Sequence, residues 1–360
     1  MIAEKPNGTN ETTYQDAKKW YDQERPVYET LAIKLKNLVQ ELLEIENINY
    51  WMVETRAKSL ESFEEKFKLK KCTNPRDIED LTGMRIIGYV ISDVDKICSL
   101  LMNNFDVDKS KIEDKSDTLG TDKVGYRSRH FIATLSKQRT SLGEFKKFEG
   151  IRFEIQVRTI LQHAWAEIEH DRNYKYGGVL PSEIQRCFNL LAGSLELVDD
   201  QFEQLSNRIE KYSADVVAMT KTGNLNIPIN SMSVIQYLSQ KFGDLITITS
   251  LNNEQSFFMI DELDSMEIEY LSDLEKILPV NLKQLAVAYK DHNYLSFVRL
   301  ILILHDPKKY FEQAWNEHFT SFAKEYLQLL HSFGLNIEEL QQQIPNGTIL
   351  REDGSLDIGV

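Results

Sequence analysis

The sequence predicts an α/β (α+β) protein, in which a mixed β-sheet flanked by helices is followed by a mostly helical C-terminal domain. Up to about residue 217, short segments of alternating polarity are interleaved with segments of helical spacing, which is typical of a sheet covered by helices. The segment MTKTGNLNIPIN has no periodicity and carries a glycine and a proline, which indicates a linker. Beyond it the chain is rich in Leu, Tyr and Phe at helical spacing. We therefore predict a first domain over residues 1–218, a linker over 219–230 and a helical domain over 231–360.

The N-terminal part is predicted to be helical. Residues 14–46 have helical spacing, and Pro26 is expected to start a second helix there, because a proline costs little in a first turn. We also predict one helix from Trp51 to Lys71, which is unusually basic on its exposed side. That helix would carry side chains that can grip a triphosphate, or else form an ordinary solvated basic face: Arg56, Lys58, Ser62 and Lys66.

Two segments with strand character follow, at residues 81–91 and 126–135, with a helix over residues 94–103 between them. Asp80 stands just before the first of these strands, in the sequence DLTGMR. At that position a carboxylate either presents an oxygen to Mg²⁺ or serves as an ordinary turn residue.

The second strand begins in the sequence DKVGYRSRH, which follows Lys115 and contains Lys123. Its glycine permits an unusual backbone angle, and Tyr126 after it can lie flat against a nucleic-acid base. Along the strand Tyr126, Ser128 and His130 share one face. The alternative is a hairpin loop with a tyrosine on an edge strand.

A third strand runs directly into a helix in the sequence IRFEIQVRTILQHAWAEIEHDRNYK, residues 151–175. Apolar residues alternate with polar ones, so one sheet face is apolar and the other is polar. The polar face combines two arginines, a carboxylate and an amide, which makes it a surface able to hold a metal and a polyphosphate: Arg152, Glu154, Gln156 and Arg158.

The helix of this unit carries His163, Glu167, His170 and Tyr174 on one face. We interpret them as hydrogen-bonding support behind the site, with zinc binding as the alternative, because no HExxH pattern is present. A long amphipathic helix is then predicted from Ile184 to Ile209, from the three- and four-residue spacing of its apolar residues.

Composition narrows the class of protein. The formal net charge is −14 over 360 residues, which argues against general electrostatic binding of DNA or RNA. No apolar run approaches the length of a membrane span, and the N-terminus has no signal-peptide core. Three widely spaced cysteines without a CxxC pair indicate reduced thiols. We therefore expect a cytoplasmic protein that binds neither membrane nor DNA.

The polar side chains together imply metal-dependent transfer between nucleotides. Asp80 and Glu154 would hold Mg²⁺ against a triphosphate, cations would neutralise the transferred group, and Tyr126 would fix the acceptor base. Neither a P-loop GxxxxGK[ST] nor a kinase signature is present.

The motifs RAKSLESFEEK, DLTGMRII, GYRSRH and EIQVRT, followed by HAWAEIEH and YK, resemble those of the RelA/SpoT-type (p)ppGpp synthetases, in their small, single-synthetase branch. The resemblance covers roughly residues 15–215. It implies a nucleotidyltransferase-like mixed sheet, and transfer of the β,γ-pyrophosphate of ATP to the 3′-hydroxyl of GTP or GDP with Mg²⁺.

The resemblance also implies roles for individual residues. Asp80 and Glu154 fall on the two catalytic, metal-binding carboxylates. The positions that bind ATP are Arg56, Lys58, Ser62, Lys66 and Arg85. The positions that bind the acceptor are Tyr126, Lys115, Lys123, His130, Gln156 and Arg158.

The acceptor loop departs from the family pattern and leaves alternatives open. Many members read Lys-Pro-Asn-Gly-Tyr where this chain has residues 122–126, DKVGY. One alternative is a toxin-type synthetase that pyrophosphorylates the 3′-CCA end of tRNA and is restrained by its C-terminal domain. Another is an inactive, nucleotide-sensing module. Residues 231–360 are expected to serve regulation or homo-oligomer contacts, and the isolated pair His305-Asp306 is not expected to be a hydrolase site.

Overall fold

The chain forms two compact units, Met1–Asn207 and Arg208–Val360, whose boundary lies inside one long helix. The computed structural model describes residues 9–70, 72–114, 128–175, 180–243, 251–280, 282, 293–315, 330–335, 340, 348–350 and 356–358. The predicted division at residues 218 and 230 stays a prediction. Its segment 219–230 starts in the last turn of the long helix and leads to the cap residue of the next helix.

Helix α1, Thr9–Ile45, contains Pro26 in its interior, so the predicted break into two helices is wrong. A proline inside a helix costs roughly 3 kcal/mol. The buried residues on both sides of it outweigh this cost, because Tyr21, Leu31 and Leu35 are at most 1% exposed.

The predicted helix from Trp51 to Lys71 is also wrong, because this segment folds as strand β1, Met52–Ala57, and helix α2, Leu60–Leu69. Ser59 separates them, and its hydroxyl accepts a hydrogen bond from the Ser62 backbone N–H at 3.1 Å. Such a cap is a recognisable start signal for a helix. The basic residues of this segment are consequently divided among a strand, a loop and a helix.

Within the described residues the sheet of the first unit has six strands, and the predicted mixed sheet flanked by helices is confirmed. Its strands occur in the order β1-β2-β6-β5-β3, with β4 paired to β5. The pair β2–β6 is parallel and the other pairs are antiparallel. After β1, the strands are β2 Thr82–Gly88, β3 Phe105–Val107, β4 Glu113–Asp114, β5 Arg129–Leu135 and β6 Phe153–Thr159.

One face of this sheet packs in the core against α1 and against α3, Ile91–Asn104. The predicted alternation of β6 is visible here, because Phe153, Ile155 and Val157 are fully buried on the core side. The residues between them therefore lie on the opposite face.

Strand β6 leads into α4, Ile160–Lys175, and the long helix α5, Ser182–Lys221, follows. Two carboxylates attach α5 to the rest of the first unit. The Thr159 hydroxyl, at the end of β6, donates to Asp199 Oδ2 at 2.7 Å, and both residues are buried. The Ser92 backbone N–H, in the first turn of α3, donates to Glu203 Oε2 at 2.9 Å.

The second unit is mainly helical, as predicted. Its longer helices within the described residues are α6 Ser231–Phe242, α7 Asn253–Ser265, α8 Leu271–Lys276 and α9 Tyr294–His305, and strand β7 Thr348–Leu350 pairs antiparallel with β8 Leu356–Ile358. In its core Arg299 donates twice to Glu262, through Nε at 2.9 Å and Nη2 at 2.5 Å. His305 ends α9, and Asp306 accepts from the Lys309 backbone N–H, which is a capping role. Across the described parts of the chain, no helix has both the length and the apolarity needed to cross a membrane.

The bond between Thr159 and Asp199 predicts a measurable effect on stability. We expect Asp199→Ala to lower the free energy of unfolding by about 1–3 kcal/mol, because it leaves the buried Thr159 hydroxyl without its acceptor. The matched control is Asp200→Ala at the neighbouring exposed position, which should change stability by less than about 0.5 kcal/mol. Urea denaturation of both variants checks this, and equal destabilisation of the two would contradict it.

Candidate active site

The sheet face opposite the core carries polar side chains from three adjacent strands. In the pairing register Gly83 of β2 lies between Arg56 of β1 and Glu154 of β6. Two residues further along β2, Arg85 lies between Glu54 of β1 and Gln156 of β6. Because facing residues of neighbouring strands point to the same side, these side chains converge on one surface.

A pocket lies over this surface, with about 750 Å³ of space between its walls and at its open mouth. Gly83 forms part of its lining, and a Cβ atom added there would have no atom within 4 Å. The missing side chain therefore keeps this part of the pocket open. The pocket is lined by Glu54, Thr55, Arg56, Ala57, Lys58, Ser59, Ser62, Asp80, Gly83, Met84, Arg85, Glu154 and Gln156.

Asp80 holds two lysines through one oxygen. Lys58 Nζ lies 2.7 Å and Lys66 Nζ 2.6 Å from Asp80 Oδ2. Burial acts to raise the pKa of Asp80, but the hydrogen bonds from the two lysines outweigh it, and the pKa lies below its ordinary value. The carboxylate is therefore ionised at neutral pH.

The other oxygen of this carboxylate, Asp80 Oδ1, is buried and has no hydrogen-bond partner within the described residues. A buried carboxylate oxygen without a partner is costly, and an ionised carboxylate oxygen is the ligand that Mg²⁺ prefers. Asp80 therefore fits a magnesium ligand.

A hydrogen bond from α1 holds the loop that carries Lys58. The Tyr21 hydroxyl donates to the backbone carbonyl of Lys58 at 2.7 Å, and Tyr21 is fully buried. Burial raises the pKa of Tyr21 well above its ordinary value, so the phenol stays protonated and remains a donor. This contact positions the lysine against Asp80.

Glu154 belongs to a closed circuit of hydrogen bonds, here called the Glu154 network, formed by Ser128, His130, Glu154, Gln156 and Arg158. Gln156 donates to Glu154 Oε2 at 3.0 Å, and Arg158 donates through Nη2 to Gln156 Oε1 at 2.7 Å and through Nε to Ser128 Oγ at 3.0 Å. His130 completes the circuit with Nδ1 3.3 Å from Glu154 Oε1 and Nε2 2.8 Å from Ser128 Oγ.

This network sets the charges around Glu154. Burial acts to raise the pKa of Glu154, but the contacts with His130 and Gln156 keep it below its ordinary value. Burial, followed by the nearby charge of Arg85, lowers the pKa of Arg158 to about 10. Both groups therefore remain charged at neutral pH, as a carboxylate and a guanidinium.

Helix α4 contributes Glu167, whose Oε1 lies 2.6 Å from Arg85 Nη1 and 3.8 Å from His163 Nδ1. Burial, and the positive charges of Arg85 and Arg158, lower the pKa of His163, so this imidazole is neutral at pH 7. Among the described residues, no group of three or more His, Cys, Asp or Glu side chains is arranged to hold a metal. Glu167 therefore serves as an ion-pair partner of Arg85.

Most of the residues singled out in the sequence lie together here. Seven line the pocket, Lys66 reaches it through Asp80, and His130 and Arg158 belong to the Glu154 network. Lys115, Lys123 and Tyr126 lie outside the described residues, so their predicted roles stay predictions. The sequence analysis does not single out Gly83 and Glu54, which line the pocket, or Tyr21, which holds the Lys58 backbone. The alternation of Glu54 with Arg56 was the available signal for the strand.

Comparison with known proteins gives a match to the family model described as "Region found in RelA / SpoT proteins", over residues 55–179. Two curated relatives from Bacillus subtilis (strain 168) are similar. GTP pyrophosphokinase YjbM is 27% identical over 53% of this chain and 88% of its own length. GTP pyrophosphokinase YwaC is 32% identical over 36% of this chain and 61% of its own length.

Solved structures are similar as well. The small alarmone synthetase 1 from Bacillus subtilis is 23% identical, over 54% of this chain and 98% of that one, with a TM-score of 0.45. The small alarmone synthetase 2 from Bacillus subtilis is 26% identical, over 52% of this chain and 98% of that one, with a TM-score of 0.45. Residues 55–179 of this chain therefore match the region found in RelA / SpoT proteins.

Proposed function

We propose that this chain is a Mg²⁺-dependent pyrophosphokinase, which transfers the β,γ-pyrophosphate of ATP to the 3′-hydroxyl of GTP or GDP and so makes (p)ppGpp. The observation that carries the proposal is the pocket over Gly83, which brings two ionised carboxylates together with lysines and arginines. The relatives named GTP pyrophosphokinase support the same activity. The proposed substrates imply a cytoplasmic protein.

The cations of the pocket are proposed to bind the ATP phosphates. Lysine supplies compact charge, and arginine supplies a planar fork that matches phosphate oxygens. These residues lie on a strand, a loop and a helix, so they approach the pocket from several sides. The sequence analysis had expected four of them on one helix face. The proposed ATP-binding residues are Arg56, Lys58, Ser62, Lys66 and Arg85.

Asp80 and Glu154 are proposed to hold Mg²⁺, which would neutralise charge on the transferred pyrophosphoryl group. With Mg²⁺ held by Asp80, Lys58 and Lys66 would be free to pair with the ATP phosphates instead of with this carboxylate. Glu154 is ionised by its network, so it can accept a hydrogen bond from the attacking 3′-hydroxyl. Glu154 takes the hydroxyl proton as the hydroxyl oxygen bonds to the β-phosphorus of ATP, the bond from that phosphorus to the oxygen it shares with the α-phosphorus breaks, and AMP leaves with that oxygen.

The acceptor nucleotide is proposed to bind toward β5 and the end of β6, at His130, Gln156 and Arg158. The Glu154 network supports this, since it aligns these side chains beside the reacting carboxylate. The sequence adds three acceptor residues outside the described part of the chain: Lys115, Lys123 and Tyr126.

A labelling assay tests the function and the acceptor together. The protein is incubated with γ-labelled ATP, Mg²⁺ and GTP, GDP or deacylated tRNA. We expect label on the guanine nucleotides, because the net charge of −14 opposes binding of a large polyanion. Label on tRNA alone would identify the toxin-type activity instead. The absence of label on every acceptor would refute pyrophosphate transfer.

The two carboxylates are the decisive positions for variants. We expect Asp80→Asn and Glu154→Gln each to lower the transfer rate by at least about 100-fold, since each removes a metal ligand and charge at the reacting group. The matched controls are Asp77→Asn and Glu149→Gln, which change exposed acids outside the pocket and should keep the wild-type rate. Wild-type rates in Asp80→Asn or Glu154→Gln, with unchanged circular dichroism, would show that the metal site is misplaced.

The open space at Gly83 predicts a separate effect. We expect Gly83→Val to fold, because no atom lies within 4 Å of an added Cβ and valine suits a strand. Its side chain would occupy space beside Arg56 and Glu154, and should weaken ATP binding by about tenfold or more. Isothermal titration with a non-hydrolysable ATP analogue measures this. Gly143→Val, at an exposed glycine with equally open surroundings, is the control, and equal affinities in the two variants would contradict the prediction.

A further inference from the structure

The segment that leads into Asp80 is held by an arginine that does not line the pocket. Arg152, directly before β6, donates through Nη1 to Glu79 Oε1 at 2.7 Å and through Nη2 to the backbone carbonyl of Arg76 at 3.1 Å. Both acceptors lie within four residues of Asp80 along the chain. One guanidinium therefore holds two points of this segment, which requires the planar fork of arginine.

A second cation contacts the same carboxylate. Lys111 Nζ pairs with Glu79 Oε1 and lies 3.7 Å from Asp108 Oδ2. Lys111 ends a short 3-10 turn that lies just before β4. Glu79 therefore connects the segment in front of Asp80 to the start of β6 and to the chain that leads into β4.

The residues on either side of this pair of acids are fixed by burial. Ile78 and Leu81 are each 2% exposed, and the Leu81 carbonyl accepts a hydrogen bond from the Lys58 backbone N–H at 2.9 Å. With Glu79 held through its side chain, the backbone that bears Asp80 is fixed on both sides.

The sequence alone suggests a different role for Arg152, as part of a surface that holds a metal and a polyphosphate. In the structure its guanidinium is engaged by the two acceptors near Asp80, and neither Arg152 nor Glu79 is among the residues that line the pocket. An exposed ion pair would contribute little. This one is partly shielded, since the side chain of Glu79 is 20% exposed and that of Arg152 is 39% exposed, and the arginine makes a second hydrogen bond.

We propose that Arg152 and Glu79 are positioning residues for Asp80, which they hold in the place where it binds Mg²⁺, and that Arg152 itself does not bind phosphate. The inference rests on the proposed function, because it takes Asp80 as a magnesium ligand. Groups that hold a metal ligand in place typically change metal affinity by about 10- to 100-fold when they are removed. Loss of the pair should therefore weaken the contribution of the metal and leave the direct contacts to the nucleotide intact.

The test is the affinity of the full chain for a non-hydrolysable ATP analogue, measured by isothermal titration with Mg²⁺ and again with a chelator. The ratio of the two dissociation constants gives the contribution of the metal. We expect Arg152→Met and Glu79→Gln each to reduce the gain from Mg²⁺ by about fivefold or more, while the metal-free constant stays within about twofold of the wild type. Arg152→Lys keeps the charge but not the fork, so it should show the same change if Arg152→Met does not fold.

The matched control is Lys146→Met, which removes an exposed cation elsewhere on the first unit and should match the wild type in both solutions. A phosphate-binding arginine would give the opposite pattern. Arg152→Met would then weaken metal-free binding, and Glu79→Gln would release the guanidinium and strengthen it. Either result would overturn the proposal, as would a wild-type gain from Mg²⁺ in the Arg152 and Glu79 variants.

The same titrations separate this inference from the proposed function. A wild type that binds the analogue equally well with Mg²⁺ and with chelator would refute the magnesium site itself. A wild type that gains affinity from Mg²⁺, together with folded Arg152 and Glu79 variants that gain as much, would refute only the positioning role. Urea denaturation of each variant establishes that it is folded.

Discussion

The parallel pairing of β2 with β6 is the constraint on which the site depends. Its register sets Gly83 beside Glu154 and Arg85 beside Gln156. The side-chain period of a strand is two, so a shift of one residue would turn every polar side chain of β6 into the core. The buried side chains of Phe153, Ile155 and Val157 on the other face prevent that shift. The hydrophobic core therefore fixes the geometry of the polar face.

The two carboxylates are kept ionised by different means, although they lie near enough for the charge of Asp80 to act on Glu154. Two desolvated like charges would favour protonation of one of them. The negative charge of Asp80 is balanced by the positive charges of Lys58 and Lys66, which both contact Oδ2. Its other oxygen, Oδ1, has no hydrogen-bond partner within the described residues. Glu154 is compensated by dipoles and by the imidazole of its network, with the guanidinium of Arg158 one link further away. The partners of Asp80 are long lysine side chains from a loop and a helix, whereas the partners of Glu154 belong to the sheet itself.

The mixed sheet and most residues of the candidate site could be predicted from the sequence. Strand β6 shows strict alternation of apolar and polar residues, and the polar side chains of the site lie in short motifs. The errors were local. The segment with Arg56 and Lys58 is predicted to be a helix, whereas its pairing with β2 makes Met52–Ala57 a strand. Pro26 is predicted to start a helix because the local preference of proline takes no account of tertiary packing. The packing of α1 on the sheet keeps the helix continuous through Pro26. The Glu154 network joins two strands whose register the sequence does not specify, so its hydrogen bonds were beyond prediction.

The spacing of apolar residues predicts helix α5, but it does not predict which of these residues are buried and which are exposed. Within one unbroken helix, Leu191 and Leu205 are exposed, whereas Val216 lies in the core of the second unit. Burial depends on which neighbours the fold supplies, and that information is not local.

The end of β6 takes part in two separate sets of hydrogen bonds. Arg158 donates to Gln156 and to Ser128 within the Glu154 network. Thr159, the next residue, donates its hydroxyl hydrogen bond to Asp199 of α5. Two neighbouring residues therefore connect the strand that bears Glu154 to the polar face on one side and to a helix outside the sheet on the other.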